Sequence, residues 1–336
     1  MPNAALSHED QSLAYAKRGI LLSLLSGFIF SANGLLIKAS SDYAPFNDAS
    51  LWIMIPLVCA ALHDVSAACI VTVLNLRNGH RKEIWRSVTS RPGRSVLVGA
   101  LLGALLGMGG YMTALQLAGP AYTLPITTMY PAVAAVLAVF VLKERIPLRA
   151  WIGLVLCVAG AGAIGYSPPE GQSSDLFYIG LCFAALAAIG WGAEAVYVTL
   201  GMDFIEPLVA LNIYYVVSSA LYVLLLIPLA SAVFFTDSGG LSVPLSFLTS
   251  TGALFVILSG CLGAFSYLCW YKAMCMTGVS RALAVNISYA LWGILLSALF
   301  TEVHITTWLV LGALTIFSGM FLVIGNPRDM LNLRNV

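Results

Sequence analysis

Long apolar runs separated by short polar stretches dominate this chain. Ten of them are long enough for a helix to cross a bilayer: about 19–38, 51–74, 95–117, 121–142, 148–166, 176–200, 207–235, 247–273, 279–300 and 304–325. The runs are continuous over about 20 residues, whereas barrel strands would alternate over about ten. The pattern predicts an all-α integral membrane protein with ten transmembrane helices. Connections are short. Ala118-Gly119-Pro120 reads as a tight turn between the third and fourth runs, and the SPPEGQSS stretch from Ser167 reads as a mid-chain linker.

Composition narrows the picture. Apolar residues make up 60% of the chain and charged residues 9%, against roughly 25% charged in an ordinary soluble domain. Too little polar surface remains to cover a water-soluble core. The formal net charge of +1 carries no bulk attraction to nucleic acid. All seven cysteines fall in apolar runs without a CxxC pair and read as small buried hydrophobes. The opening stretch, MPNAALSHEDQSLAYAKRG, is polar and lacks a signal-peptide core, so the first run reads as a retained helix.

Basic residues predict the orientation. Lys17 and Arg18 precede the first run; Arg77, Arg81, Lys82, Arg86, Arg91 and Arg94 lie between the second and third. Lys143, Arg145 and Arg149, then Lys272 and Arg281, and finally Arg328 and Arg334 fall on the same side of a ten-span arrangement. Lys38 is on the other side. Both termini are therefore expected in the cytoplasm.

The chain also repeats itself. YMTALQLAGPAYTLPITTMYPAVAAVLAVFVLKE, from Tyr111, aligns with WYKAMCMTGVSRALAVNISYALWGILLSALFTE, from Trp270. Ala114 pairs with Ala273, Gly119 with Gly278, Thr127 with Asn286 and Tyr130 with Tyr289; Glu144 and Glu302 follow within a one-residue slip. Gly153 pairs with Gly312 and Gly160 with Gly319, while FSANGLLIK around Asn33 lies over WGAEAVYVT around Glu194. Five spans per half is an odd number, so the halves must have opposite topology. Inverted repeats of this kind are a transporter signature, with substrate held near the midplane between them. The expected division is a tail at 1–18, a first repeat at 19–166, a linker at 167–175, a second repeat at 176–325 and a tail at 326–336.

The stretch 130–165, with Pro131, the Lys143-Glu144-Arg145 turn and a helix carrying Gly153 and Gly160, resembles the end of an EamA domain, which defines the drug/metabolite transporter superfamily. The second half holds a degraded copy without the proline and the basic turn, and FSANGLLIK is similar to the family's first helix. The resemblance implies two inverted five-helix repeats around a cavity lined by helices one, three, four, six, eight and nine. It also implies a bacterial inner-membrane secondary transporter. Its substrate class stays open, since such proteins carry amino acids, organic cations, drugs, nucleotide sugars and sugars.

Glu194 is the leading candidate residue. It lies inside LFYIGLCFAALAAIGWGAEAVYVTL, an apolar run with nothing to neutralise it. A charge there costs at least a few kcal/mol, so it is expected to face a cavity or a partner. Trp191 and Tyr197, at i−3 and i+3, share its face. A carboxylate between aromatic faces suits a cation; it can also bind an ammonium, take up a proton, or pair structurally with another helix. Asn33, with Phe30 and Ile37 on its face, is its repeat counterpart. Thr127 and Tyr130 pair with Asn286 and Tyr289 as opposing polar walls, extended by Trp292. Tyr111 pairs with Trp270, near Tyr267 and Tyr271. His63 and Asp64 are further proton-coupling candidates. They point about 100° apart on a helix, which disfavours one shared cavity; Asp64 is open to pairing with Lys38 or a serine. Gly99, Gly103 and Gly107 form a small-residue seam for close helix contact.

No nucleotide-binding loop, metal-ligand cluster or serine elbow is present in the sequence, so no catalytic residue, metal or cofactor is expected. The expected function is secondary transport of a small amino metabolite, amino-acid-like, by alternating access. The alternative is a quaternary or other organic cation such as choline. The rival class is a non-transporting membrane enzyme or scaffold. Expected partners are a small cationic or zwitterionic substrate, the lipid bilayer and a coupling proton, with no nucleic acid.

Overall fold

The computed structural model describes residues 8–142, 148–165, 174–236, 240–277, 279–300 and 306–324. Among the described residues every regular element is helical. The first half contains α1 (His8–Ser40), α2 (Met54–Arg77), α3 (Arg81–Thr89), α4 (Arg91–Leu102), α5 (Gly109–Ala118), α6 (Pro120–Thr127), α7 (Tyr130–Leu142) and α8 (Leu148–Gly165). The second contains α9 (Ser174–Met202), α10 (Pro207–Leu221), α11 (Ile227–Phe234), α12 (Ser242–Ser246), α13 (Thr251–Thr277), α14 (Val279–Asn286), α15 (Tyr289–Phe300) and α16 (Thr307–Ile324). Among the described residues six helices are long and apolar enough to cross a membrane: Lys17–Ser40, Met54–Arg77, Arg91–Ala118, Asp175–Met202, Pro207–Phe234 and Thr251–Thr277. Trp151–Ile164, Tyr289–Phe300 and Thr307–Leu322 are shorter apolar helices.

The sequence pattern and the helices differ in instructive places. The fourth apolar run is not one helix: it breaks at Thr128-Met129, between α6 and α7. Pro131 lacks an N–H and disfavours helical geometry at the preceding residue, which weakens the chain there. The ninth run breaks at the repeat-equivalent Ile287-Ser288, between α14 and α15, with no proline nearby. Two further irregularities lie inside continuous helices. Residues Gly103–Met108 join α4 to α5 as a π-helix, and Tyr222–Leu226 join α10 to α11 in the same way. The Ala104 carbonyl in the first of these accepts from the Gly109 N–H and also from the Tyr222 hydroxyl at 2.7 Å. The polar segment at 8–18 continues into α1 rather than forming an irregular tail.

Local chemistry sets the ends. The Ser90 hydroxyl accepts from the Gly93 N–H at 3.0 Å and caps α4, with Pro92 in the first turn. Gly119 turns the chain from α5 to α6 at φ +75°, which favours glycine. The Lys143-Glu144-Arg145 turn, Gly278, Glu302, the linker up to residue 173 and the tail at 326–336 lie outside the described residues.

Packing is dominated by small residues. α1 lies against α13, α2 against α10 and α13, α4 and α5 against α9, and α8 against α16. At the α8–α16 crossing a Cβ on Gly160 would come within 2.7 Å of both the Gly312 carbonyl and Ile316. A Cβ on Gly319 would come within 2.5 Å of the Gly153 carbonyl and 2.9 Å of Cys157. These contacts exchange under the register that pairs Gly153 with Gly312 and Gly160 with Gly319. Outward positions such as Leu148, Val155, Val158, Leu224, Leu254 and Leu299 leave large apolar side chains exposed, as acyl chains require.

Candidate functional site

Between the two halves lies a cavity lined by Ser26 and Phe30 of α1, Tyr130 of α7, Trp191 of α9, Ser266, Tyr267 and Trp270 of α13, Asn286 of α14 and Tyr289 of α15. Its empty volume, counting the space open to solvent, is about 330 Å³. Six of the nine lining residues are aromatic. Phe30 meets Trp191 edge-on at 5.5 Å and Tyr289 at 5.2 Å. Trp270 meets Tyr130 at 5.9 Å and Tyr267 at 5.4 Å, again edge-on. Tyr111 backs this wall, 5.1 Å from both Phe30 and Trp191.

The polar side of the cavity is cross-linked between repeats. The Tyr130 hydroxyl donates to Asn286 Oδ1 at 3.2 Å, and the Tyr289 hydroxyl donates to Thr127 Oγ1 at 3.0 Å. Each bond is the repeat image of the other. Both sit at the helix breaks, where the chain loses regular backbone pairing. Asn286 Nδ2 donates to Ser26 Oγ at 3.0 Å, and Ser26 shares a hydroxyl contact with Ser266 at 3.2 Å.

Glu194 is fully buried one helical turn from Trp191, outside the residues that line the cavity. Its Oε1 accepts from the Tyr271 hydroxyl at 2.8 Å, while Oε2 has no hydrogen-bond partner among the described residues. The Gly99–Gly103–Gly107 seam receives α9 there. Gly99 faces Val198, Gly103 faces the Glu194 carboxylate and Gly107 faces the Trp191 ring, with Tyr214 of α10 closing the far side of Gly103. The seam is a close helix contact, and it seats the acid and the cavity-wall tryptophan as well.

Asn33 belongs to a different polar group. Its Nδ2 donates to His63 Nε2 at 2.9 Å and to the Ser259 carbonyl at 2.8 Å, leaving Oδ1 without a partner among the described residues. Because Nε2 accepts, His63 Nδ1 carries the proton and donates to Asp64 Oδ1 at 2.7 Å. Ser218 donates to Asp64 Oδ2. Asp64 is thus paired with a serine and with its own neighbour, despite the angle between adjacent helical positions. The remaining candidates lie apart from the cavity lining. Tyr197 is half-buried and its carbonyl accepts from Ser95 at 2.6 Å; Trp292 packs edge-on against Phe28 at 5.4 Å.

Sequence reasoning passed over Ser26 and Ser266, although Ser26, Phe30, Asn33 and Ile37 follow helical spacing on one face of α1. It also passed over Tyr214 and Tyr215, an adjacent pair in an apolar run; Tyr214 stacks on Tyr267 at 5.5 Å. A His80, Glu83 and Glu206 group, with ligating atoms within 4.8 Å of one another, was hidden by sequence separation. It holds a His80–Glu206 contact of 3.1 Å.

A helical membrane protein with a small aromatic chamber between two halves is the class that fold and site define. The chain belongs to the EamA-like transporter family, whose profile matches residues 17–166 and again 178–325. It is therefore an integral membrane transporter with a small-molecule substrate. Protein LicB of Haemophilus influenzae is similar at 25% identity over 311 residues, covering 91% of this chain and 97% of that protein. A solved crystal structure shares the fold, with a TM-score of 0.60 at 17% identity over 90% of this chain and 94% of that one.

Proposed function

We propose that this transporter carries a small organic cation of the quaternary-ammonium type, comparable in size to choline. The observation that carries the reading is the cavity wall. Six aromatic residues surround the space, and among the described residues its lining holds no Lys, Arg or His. Aromatic faces attract a desolvated cation by up to about 2 kcal/mol each and need no water to do so. A buried acid, Glu194, stands one turn behind Trp191 and, when ionised, supplies the opposite charge. An amino acid would also need a partner for its carboxylate. Asn286 already spends its amide hydrogens on Ser26 Oγ and, at 3.4 Å, on the Ser23 carbonyl. The donors left for a carboxylate are the indole N–H groups of Trp191 and Trp270, buried without a partner among the described residues, and the amino-metabolite reading rests on them.

We read the architecture as ten membrane helices in two inverted five-helix repeats, spanning 19–166 and 176–325, with both termini in the cytoplasm of a bacterial inner membrane. The two family matches and the crosswise Tyr130–Asn286 and Tyr289–Thr127 bonds support it. Alternating access then proceeds by parting one side of the cavity at a time, with Glu194, Asp64 and His63 as the candidate groups for a coupling proton. We assign no catalytic role to any residue.

Thermal unfolding of the purified full chain with choline, a zwitterionic amino acid and a neutral isostere tests the substrate class. At a concentration 100-fold above its Kd, the ligand should stabilise by about 2.7 kcal/mol. Stabilisation by the amino acid and none by choline would overturn the cation reading.

A further inference from the structure

The segment between α2 and α4 is charged in a sorted way. Arg81, Lys82 and Arg86 of α3 are exposed, and Glu83, the one acid between residues 78 and 94, is half-buried beside His80 and Glu206. The outward face is left wholly cationic. Trp85 lies at its centre, with 76% of its surface exposed. Arg81, Lys82, Trp85 and Arg86 recur at helical spacing, so they share this face. The opposite face is fixed: Ile84 and Val88 pack on the core, and His80 holds Glu206 at the start of α10. Phe204, two residues before Glu206, protrudes from the same end with 79% of its surface exposed.

A tryptophan amid cations on a helix flanking two membrane spans has a specific complement. Indole rings settle at the headgroup level of a bilayer, and basic side chains next to a membrane gain about 1 kcal/mol each from anionic lipid. We propose that α3 is a membrane-surface anchor that binds the phosphate headgroups of anionic phospholipids, with Trp85 and Phe204 inserted beside them. The surface is preorganised, because its inner face is packed and the nearby acids Glu83 and Glu206 gather at His80, leaving exposed Asp203 beside Phe204 at its edge. The inference rests on membrane embedding and is independent of the substrate.

Native mass spectrometry of the full chain, exposed to phosphatidylglycerol and phosphatidylcholine in equal amounts, tests it. The wild type should retain phosphatidylglycerol preferentially. The R81Q/K82Q/R86Q variant should lose about a hundredfold in that affinity at low salt, and R81K/R86K, which keeps the charge, should retain it. Unchanged unfolding midpoints would establish that the neutralised variant is folded; a variant that unfolds is replaced by the single Arg86→Gln, which should lose about fivefold. Equal retention of both lipids, unchanged retention in the neutralised variants, or complete displacement by millimolar inorganic phosphate would overturn the proposal.

Discussion

The free carboxylate oxygen of Glu194 occupies the space that a methyl group on Gly103 would fill. α9 approaches α4 so closely at this point because glycine offers no side chain, and the acid takes the room. Gly103→Ala is expected to displace the carboxylate and to cost about 1–3 kcal/mol of stability through overpacking. Thermal unfolding and ligand titration on the same sample measure both effects. An alanine variant with unchanged affinity and midpoint would show that the carboxylate moves freely.

Glu194→Gln keeps the shape and removes the charge. If the acid neutralises a substrate cation, binding should weaken more than about tenfold, a loss above about 1.4 kcal/mol, with folding intact. If it serves proton coupling, binding and exchange should persist while pH-driven accumulation is lost. A lower unfolding midpoint with unchanged binding would assign it a structural role.

The aromatic wall predicts selectivity for charge over shape. Trp191→Leu should weaken binding of choline by about 1–2 kcal/mol and leave its neutral carbon isostere, 3,3-dimethylbutanol, nearly unaffected. Calorimetric titration of both ligands is the check. Equal losses for the two would reduce the tryptophan to an apolar surface.

The crosswise bonds are not equivalent in chemistry, and their loss should differ. Tyr289→Phe removes one donor from Thr127, whose hydroxyl still donates to the Leu124 carbonyl at 2.8 Å; a cost of about 1 kcal/mol is expected. Tyr130→Phe takes the donor from Asn286 Oδ1, a buried acceptor, and should cost up to about 3 kcal/mol. Unfolding midpoints of the two variants, with the same size change in each, give the comparison.

Topology is open to a direct reading. In a background with the seven native cysteines replaced, Asn78→Cys should be labelled by a membrane-impermeant thiol reagent only from the cytoplasmic side. Ser246→Cys should be labelled only from the opposite side. Labelling of both from one face would refute the ten-span arrangement.

Much of the fold was legible because a bilayer enforces simple rules. Apolar runs mark helices, and polar residues inside them stand out. Repeat register pairs Thr127 with Asn286 and Tyr130 with Tyr289, and the structure joins the four crosswise. The breaks were half legible. Pro131 marks the first, but the Ile287-Ser288 break has no proline and is held by tertiary contacts that local sequence does not encode. The Gly99–Gly103–Gly107 seam was readable as a close approach. What it accommodates was not, because that depends on the register of α9. Likewise, Asn33 resembles Glu194 by position, but its partners, His63 and the Ser259 carbonyl, come from helices distant in sequence.

The two π-helical segments meet at one hydrogen bond. Tyr222 opens its own irregular turn and donates to Ala104 inside the other. A π turn is a register offset that each helix carries along its length. If the first helix returned to α geometry, Ala104 would rotate away and Tyr222 would lose its acceptor; if the second did, the donor would withdraw. The two irregular turns are therefore linked: a change of register in either one breaks the hydrogen bond that joins them.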